Sequence, residues 1–188
     1  IAMKKYFFFI LWAITLLACS GGENSSMHAP ISNITEKWTG IKQLGVLGAE
    51  IFVSSIAVDL NGNVYVAGTT SSGLDSNTII GTTDSFVVKY DSFGKKIRTI
   101  EFGGPGTVTV ANSIDIDSSG NIYVAGGTYC GLDDNTLTGN PDFFVSTFDP
   151  SGNKVRTKQL GVPDKWTYAF GVDIDSIQNV YVVGETQG

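Results

Sequence analysis

Carboxylates recur along this chain at spacings that suit cation binding. In Asp115-Ile116-Asp117-Ser118-Ser119-Gly120-Asn121 two Asp residues alternate ahead of a glycine. The start of a calcium loop is built in a similar way, because several oxygens must converge on one hard cation. The later bidentate Glu of such a loop is absent here, and Ala57 stands where Asp115 would be one copy earlier. The expected reading is therefore a hairpin in which Asp117 and Asn121 bond to the turn backbone. Asp84 with Asp142, and Asp91 with Asp149, recur at strand ends and are read as turn caps. Trp38, Trp166, Tyr168 and Phe170 offer rings that could stack on a sugar or a peptide, although packing between layers is the commoner use of such residues. The candidate ligand-binding residues are Trp166 and Tyr168, with Asp133 and Asp134 from a long loop.

Nucleophilic catalysis has little to work with. His28 is the single histidine, so no Ser-His-Asp or Cys-His constellation can form in the rest of the chain. Paired-carboxylate hydrolysis is compatible with the composition, yet each candidate Asp already has a place in a turn. No catalytic residue, metal ligand or cofactor is expected. The competing class is a calcium-dependent module or an enzyme built on Asp residues. Cys130 has no thiol to pair with except Cys19, and Ser72 occupies its place one copy earlier. A small polar loop position is all that is implied.

The chain has 188 residues, enough for a sizeable core. Only 16% of them are charged and 23 are glycine, a composition that favours turn-rich β structure over long solvated helices. The net charge of -6 provides no footprint for nucleic acid or for an anionic membrane surface.

Lys4 and Lys5 precede an apolar run from Tyr6 to Ala18. The run is short for a membrane span and suits the h-region of a secretory signal. It ends in Leu16-Leu17-Ala18-Cys19, which resembles the bacterial lipobox. There a small residue precedes the Cys whose sulfur takes the lipid and becomes the new N-terminus. The resemblance implies a signal peptide over 1–18 and a lipoprotein carrying diacylglyceryl and palmitate at Cys19. An ordinary signal with an incidental Cys is the alternative. Ser20 follows where Asp would signal inner-membrane retention in many didermal bacteria, so an outer-membrane or cell-surface location is expected. Residues 19–35 are rich in Ser, Gly and Asn without a hydrophobic period and read as a flexible tether. His28 belongs to it and is assigned no role.

From residue 36 to 188 the chain repeats. Asn63, Asn121 and Asn179 are 58 apart, as are Gly68, Gly126 and Gly184, and Gly45, Gly103 and Gly161. The register runs without a gap between the two full copies, so that Gly73-Leu74-Asp75 matches Gly131-Leu132-Asp133. A fixed period with turn residues at fixed offsets marks a repeat architecture. Each copy supplies four strand candidates. Ser113 to Asp117 alternates, a tight turn follows, and Ile122-Tyr123-Val124-Ala125-Gly126 is apolar on both faces. After a long loop come Phe143 to Phe148 and, past Ser151-Gly152, Lys154 to Leu160. Four antiparallel strands covered on both faces describe a β-propeller blade.

The stretch from Gly81 to Lys95, that from Ile114 to Thr128, and Lys158-Gln159-Leu160-Gly161 together resemble the SBBP repeat, a β-propeller repeat of bacterial surface and secreted proteins. NHL blades share part of the pattern. The resemblance covers about residues 38 to 188. It implies an all-β fold and a blade, not an activity, and it brings no catalytic residues. Blade 1 is expected at about 46–103, blade 2 at about 104–161 and a partial blade 3 at about 162–188. One strand before Gly45, four in each full copy and two in the last make about two and a half repeats. A ring needs at least four blades, or about 230 residues at this period. An incomplete propeller is expected, as a fragment of a longer one, and its open strand edge invites self-association. Tight turns gather at one end of the blades and long loops at the other, where recognition residues usually sit. The expected role is a lipid-anchored scaffold or binding module that takes a protein or carbohydrate through its loop-rich face.

Overall fold

Apolar strands separated by Asp-capped turns need cover on both faces, and the fold is organised around supplying it. A computed structural model describes Trp38 and residues 40–187 of the chain. The expected signal over 1–18, the lipidated Cys19 and the tether over 19–35 lie outside the described residues. Ten strands follow one another: β1 (Ile51–Val58), β2 (Val64–Thr70), β3 (Asp84–Tyr90), β4 (Lys96–Phe102), β5 (Thr109–Ile116), β6 (Ile122–Thr128), β7 (Asp142–Phe148), β8 (Lys154–Leu160), β9 (Thr167–Ile174) and β10 (Val180–Thr186). They form two four-stranded antiparallel sheets, β1-β2-β3-β4 and β5-β6-β7-β8, and a two-stranded sheet of β9 and β10. The arrangement is all-β and open, with blades of the expected kind. Among the described residues no helix is long and apolar enough to cross a membrane.

Two expectations need correction. The strand expected before Gly45 does not form, for residues 40–46 carry no strand. Its counterparts β4 and β8 each pair with the third strand of their own sheet, and among the described residues no third strand lies beside this segment. Trp38 and Leu44 instead pack on the apolar face of blade 1 with Val64, Phe86 and Tyr90. The first strand of each blade is also longer than its alternation suggests. β5 starts at Thr109 rather than Ser113, and its pairing with β6 skips Asn112. This bulge breaks the two-residue period and conceals the first half of the strand. Ser54 and Phe170 are skipped in the same way in β1 and β9. A Cβ on Gly126 would collide with the Val110 carbonyl of the bulged strand, which explains one of the repeated glycines.

Each β1–β2 type hairpin is closed by one carboxylate. Asp117 Oδ1 accepts from the Ser119 and Asn121 N–H groups at 2.8 and 2.9 Å, and Oδ2 accepts from Asn121 Nδ2 and the Tyr123 hydroxyl at 2.7 and 3.2 Å. Asp59 and Asp175 receive the same set of four from their own copies. Burial raises the pKa of these carboxyls, but the hydrogen bonds outweigh it and hold all three below the usual Asp range.

The blades meet face to face. Phe102, at the end of β4, is wedged into blade 2 with ring centroids 5.9 Å from Phe144 and 5.1 Å from Phe148. Side chains on each first strand accept from the backbone of the next one. Ser55 Oγ takes the Ile114 N–H at 3.3 Å, and Ser113 Oγ takes the Val172 N–H at 3.2 Å. The first three strands of blade 2 are thus covered on both faces, whereas β8 and the outer side of the last sheet are exposed. Tyr123 is 6% exposed but its counterpart Tyr181 is 55% exposed, and Phe102 at 3% contrasts with Leu160 at 61%.

The hairpins yield two expectations. Gly120 has a φ of +84°, a left-handed conformation that a side chain adopts only with strain. Gly120→Val is expected to cost about 1–3 kcal/mol in denaturant melts, with Ser119→Ala nearly neutral. Asp117→Ala removes four bonds from a buried site and is expected to cost about 2–3 kcal/mol. Because the folded pKa is depressed, the Asp117 contribution is present above the unfolded Asp value and fades as pH falls through the folded one. Asp117→Ala should therefore flatten the acid limb of the stability curve, and an unchanged limb would count against this role.

Candidate ligand groove

At the junction of blades 2 and 3 the long-loop end opens into a groove of about 440 Å³. Asn112, Tyr129, Asn140, Pro141, Trp166, Tyr168, Phe170 and Glu185 line it. Trp166, Tyr168 and Phe170 lie on and just before β9 and share one side of the groove, Phe170 being the bulged residue of the strand. Their rings follow one another at 6.2 and 6.1 Å, with Tyr168 and Phe170 stacked at 17°. Gly127 makes room for this row, because a Cβ there would meet the Tyr168 ring. The Tyr129 and Tyr168 hydroxyls share a hydrogen bond at 2.6 Å across the groove. Burial, that hydrogen bond and the neighbouring phenol hold the Tyr168 hydroxyl above the ordinary tyrosine range, so it stays neutral at physiological pH.

The fold does not require these aromatics. One copy earlier Val108, Val110 and Asn112 occupy the positions of Trp166, Tyr168 and Phe170, and Ser71 that of Tyr129. The blades meet equally well there, since Thr109 N–H donates to the Thr83 carbonyl at 2.9 Å just as Thr167 N–H donates to that of Pro141 at 2.8 Å. A second hollow, between Trp38 and Tyr90, measures about 30 Å³, room for about one water.

Of the residues singled out from sequence, the structure brings Trp166 and Tyr168 together in this groove and leaves Asp133 and Asp134 out of it. Asp133 is paired with Lys154 at 3.0 Å, and that pair, with the bond from Thr157, holds its carboxyl below the usual range against the effect of burial. Asp75 makes the same contacts with Lys96 and Thr99 in blade 1, which marks the position as a clamp between the long loop and the fourth strand. Asp134 stands exposed beside it. Trp38 lies edge-on to Tyr90 at 5.6 Å, as part of the cover of blade 1. Asp115 accepts from the Ile116 and Ile174 N–H groups at 2.8 and 2.9 Å. Together with the turn bonds of Asp117, this accounts for both carboxylates of the calcium-like stretch. Among the described residues no group of three or more His, Cys, Asp or Glu side chains is arranged to hold a metal ion. Tyr129, Asn140 and Glu185 escaped the sequence reading because they come from three separate segments, although their departure from the earlier copy was visible.

Comparison with known proteins bears on the scaffold. Curated proteins include no match to the chain. A solved crystal structure of a protein of unknown function from Bacteroides caccae is similar over 76% of this chain, with 15% identity and a TM-score of 0.43. The chain spans 42% of that protein's length. The family model SBBP, a β-propeller repeat, matches residues 40–75, 97–129 and 155–188, three segments one period apart that together cover more than half of the chain, which therefore belongs to the SBBP β-propeller repeat family.

Proposed function

We propose that the protein is a lipid-anchored bacterial surface module that binds a carbohydrate in the groove between blades 2 and 3. The row of Trp166, Tyr168 and Phe170 carries this reading, because the preceding copy forms its junction with Val108, Val110 and Asn112 at the same positions and no ring among them. Aromatic faces stack on the apolar face of a sugar ring, and a few convergent polar groups fix its orientation. Asn140 and Glu185 supply such groups. Binding rather than catalysis is favoured because the hairpin carboxylates are already occupied by their turns. The groove opens at the long-loop end of a rigid scaffold, the usual place for recognition. Its setting is the outer membrane or cell surface, with Cys19 as the anchor, and the open β10 edge is the surface through which self-association would run.

Glycan and peptide arrays probed with the whole chain test the reading. Retention on particular glycans is expected, with at least about a tenfold loss in Trp166→Ala and in Tyr168→Ala, equivalent to about 1.4 kcal/mol. Asp133→Ala should bind as the wild type does. Retention on peptides alone would replace the carbohydrate by a protein partner, and ring variants that bind undiminished would remove the groove as the site. For the anchor, metabolic labelling with a fatty-acid analogue should mark the wild type and spare Cys19→Ala; equal labelling of both would refute lipidation at this residue.

A further inference from the structure

We propose that Glu101 carries a proton at neutral pH and acts as a pH-sensitive latch on the β2–β3 loop of blade 1. The same position in blade 2 is Gln159, and its amide fastens the β6–β7 loop through both of its ends. The Leu132 N–H donates to Gln159 Oε1 at 3.0 Å, while Nε2 donates to the Cys130 carbonyl at 3.1 Å and to Asp142 Oδ2 at 2.9 Å. In blade 1 the Leu74 N–H donates to Glu101 Oε2 at 2.9 Å, and Asp84 stands where Asp142 stands. Glu101 Oε1 replaces the donating nitrogen and is buried with no hydrogen-bond partner. An amide nitrogen brings two hydrogens to this place and a carboxylate brings none.

A proton on Oε1 restores the missing donor. Both Asp84 oxygens are already engaged as acceptors, from the Ile80 and Gly81 N–H groups at 2.6 and 2.9 Å. No other charged group nearby bonds to Glu101 Oε1. From the loop, Asp75 pairs with Lys96 and Thr99. On β4 itself, the Arg98 charge acts on Tyr65 and Asp149. Blade 2 contributes the Cys130 thiol, which lies against Gly104. Burial, reinforced by the Asp84 charge, holds the Glu101 carboxyl above the usual glutamate range against the effect of the Leu74 bond. A raised folded pKa gives stabilisation that is complete below the unfolded value and is lost as pH rises through the folded one. On deprotonation the proton leaves to water, two carboxylates face each other, and the loop anchored by the buried Leu74 loosens.

Amide hydrogen exchange of the whole chain reads this latch at the Leu74 N–H, with the Leu132 N–H as an internal reference that Gln159 holds at every pH. Base catalysis of exchange acts on both and cancels in their ratio. The Leu74 to Leu132 ratio is expected to rise with pH in the wild type, by up to about tenfold per unit above the Glu101 titration, and to stay flat in Glu101→Gln. The infrared carbonyl band of a protonated carboxyl should be present at neutral pH in the wild type and missing from Glu101→Gln. A flat ratio in the wild type, or a band that survives the substitution, overturns the proposal. Should the variant fail to fold, the wild-type band still decides, since its absence at neutral pH overturns the latch and its loss as pH rises supports it.

Discussion

A β-strand that is apolar on both faces cannot stand at a solvent boundary, and the rest of this structure depends on that constraint. Every residue of β2 and β6 is buried, which is possible only because another layer lies on each side of its sheet. Between the full blades the layer is supplied by the neighbouring repeat, with Phe102 as the wedge against Phe144 and Phe148. On the free face of blade 1 it is supplied by Trp38 and Leu44, which are not in a strand at all. Burying a side chain of the size of Phe102 stabilises by about 1.5–3 kcal/mol, several times the value of an exposed ion pair. Packing between sheets therefore decides the arrangement, while pairs such as Lys154–Asp133 adjust loops within it.

Stacking demands that each sheet present the same shape, and the hairpin carboxylates meet that demand. One Asp reaches forward two, four and six residues, from the turn N–H groups to a tyrosine hydroxyl in the next strand. Turn geometry and the register of the first two strands are thereby fixed together. The third copy shows how much of the device is essential. Gln178 takes the left-handed position with a φ of +68°, yet Asp175 still receives all four bonds. Gln178 Nε2 also donates to Ser119 Oγ of the preceding blade at 3.3 Å, a contact that glycine could not make.

This division between repeated and singular features explains what was legible in the sequence. The period of 58, the hairpins at Gly62 and Gly120 and the fourth strand from Lys154 to Leu160 were legible because identical physical demands recur at identical offsets. The early half of β5 was not, since the bulge at Asn112 interrupts the alternation by which a strand is recognised. The segment before Gly45 carries the composition of a fourth strand, but among the described residues no third strand pairs with it, a tertiary condition that local pattern cannot report. Asp133 looked like a ligand residue because it is an acid in a long loop. Its counterpart Asp75, with matching partners in Lys96 and Thr99, already pointed to a clamp.

Departures from the repeat carry the complementary information. A side chain that recurs at every copy is accounted for by the blade, so whatever a blade protein does beyond forming blades must rest on side chains that do not recur. The aromatic row on β9 is one such departure, and the acid at 101 in place of the amide at 159 is another. Neither improves the stacking of sheets. Val108 and Val110 meet that need in the earlier copy, and Gln159 satisfies its neighbours without a proton from solvent. Both departures bear on the long-loop end of the blades, the first by walling a groove and the second by fastening the loop that begins at Gly73. A scaffold whose strands are fixed by packing can vary such positions at little cost, which is why recognition and regulation can be added to this fold without changing its period.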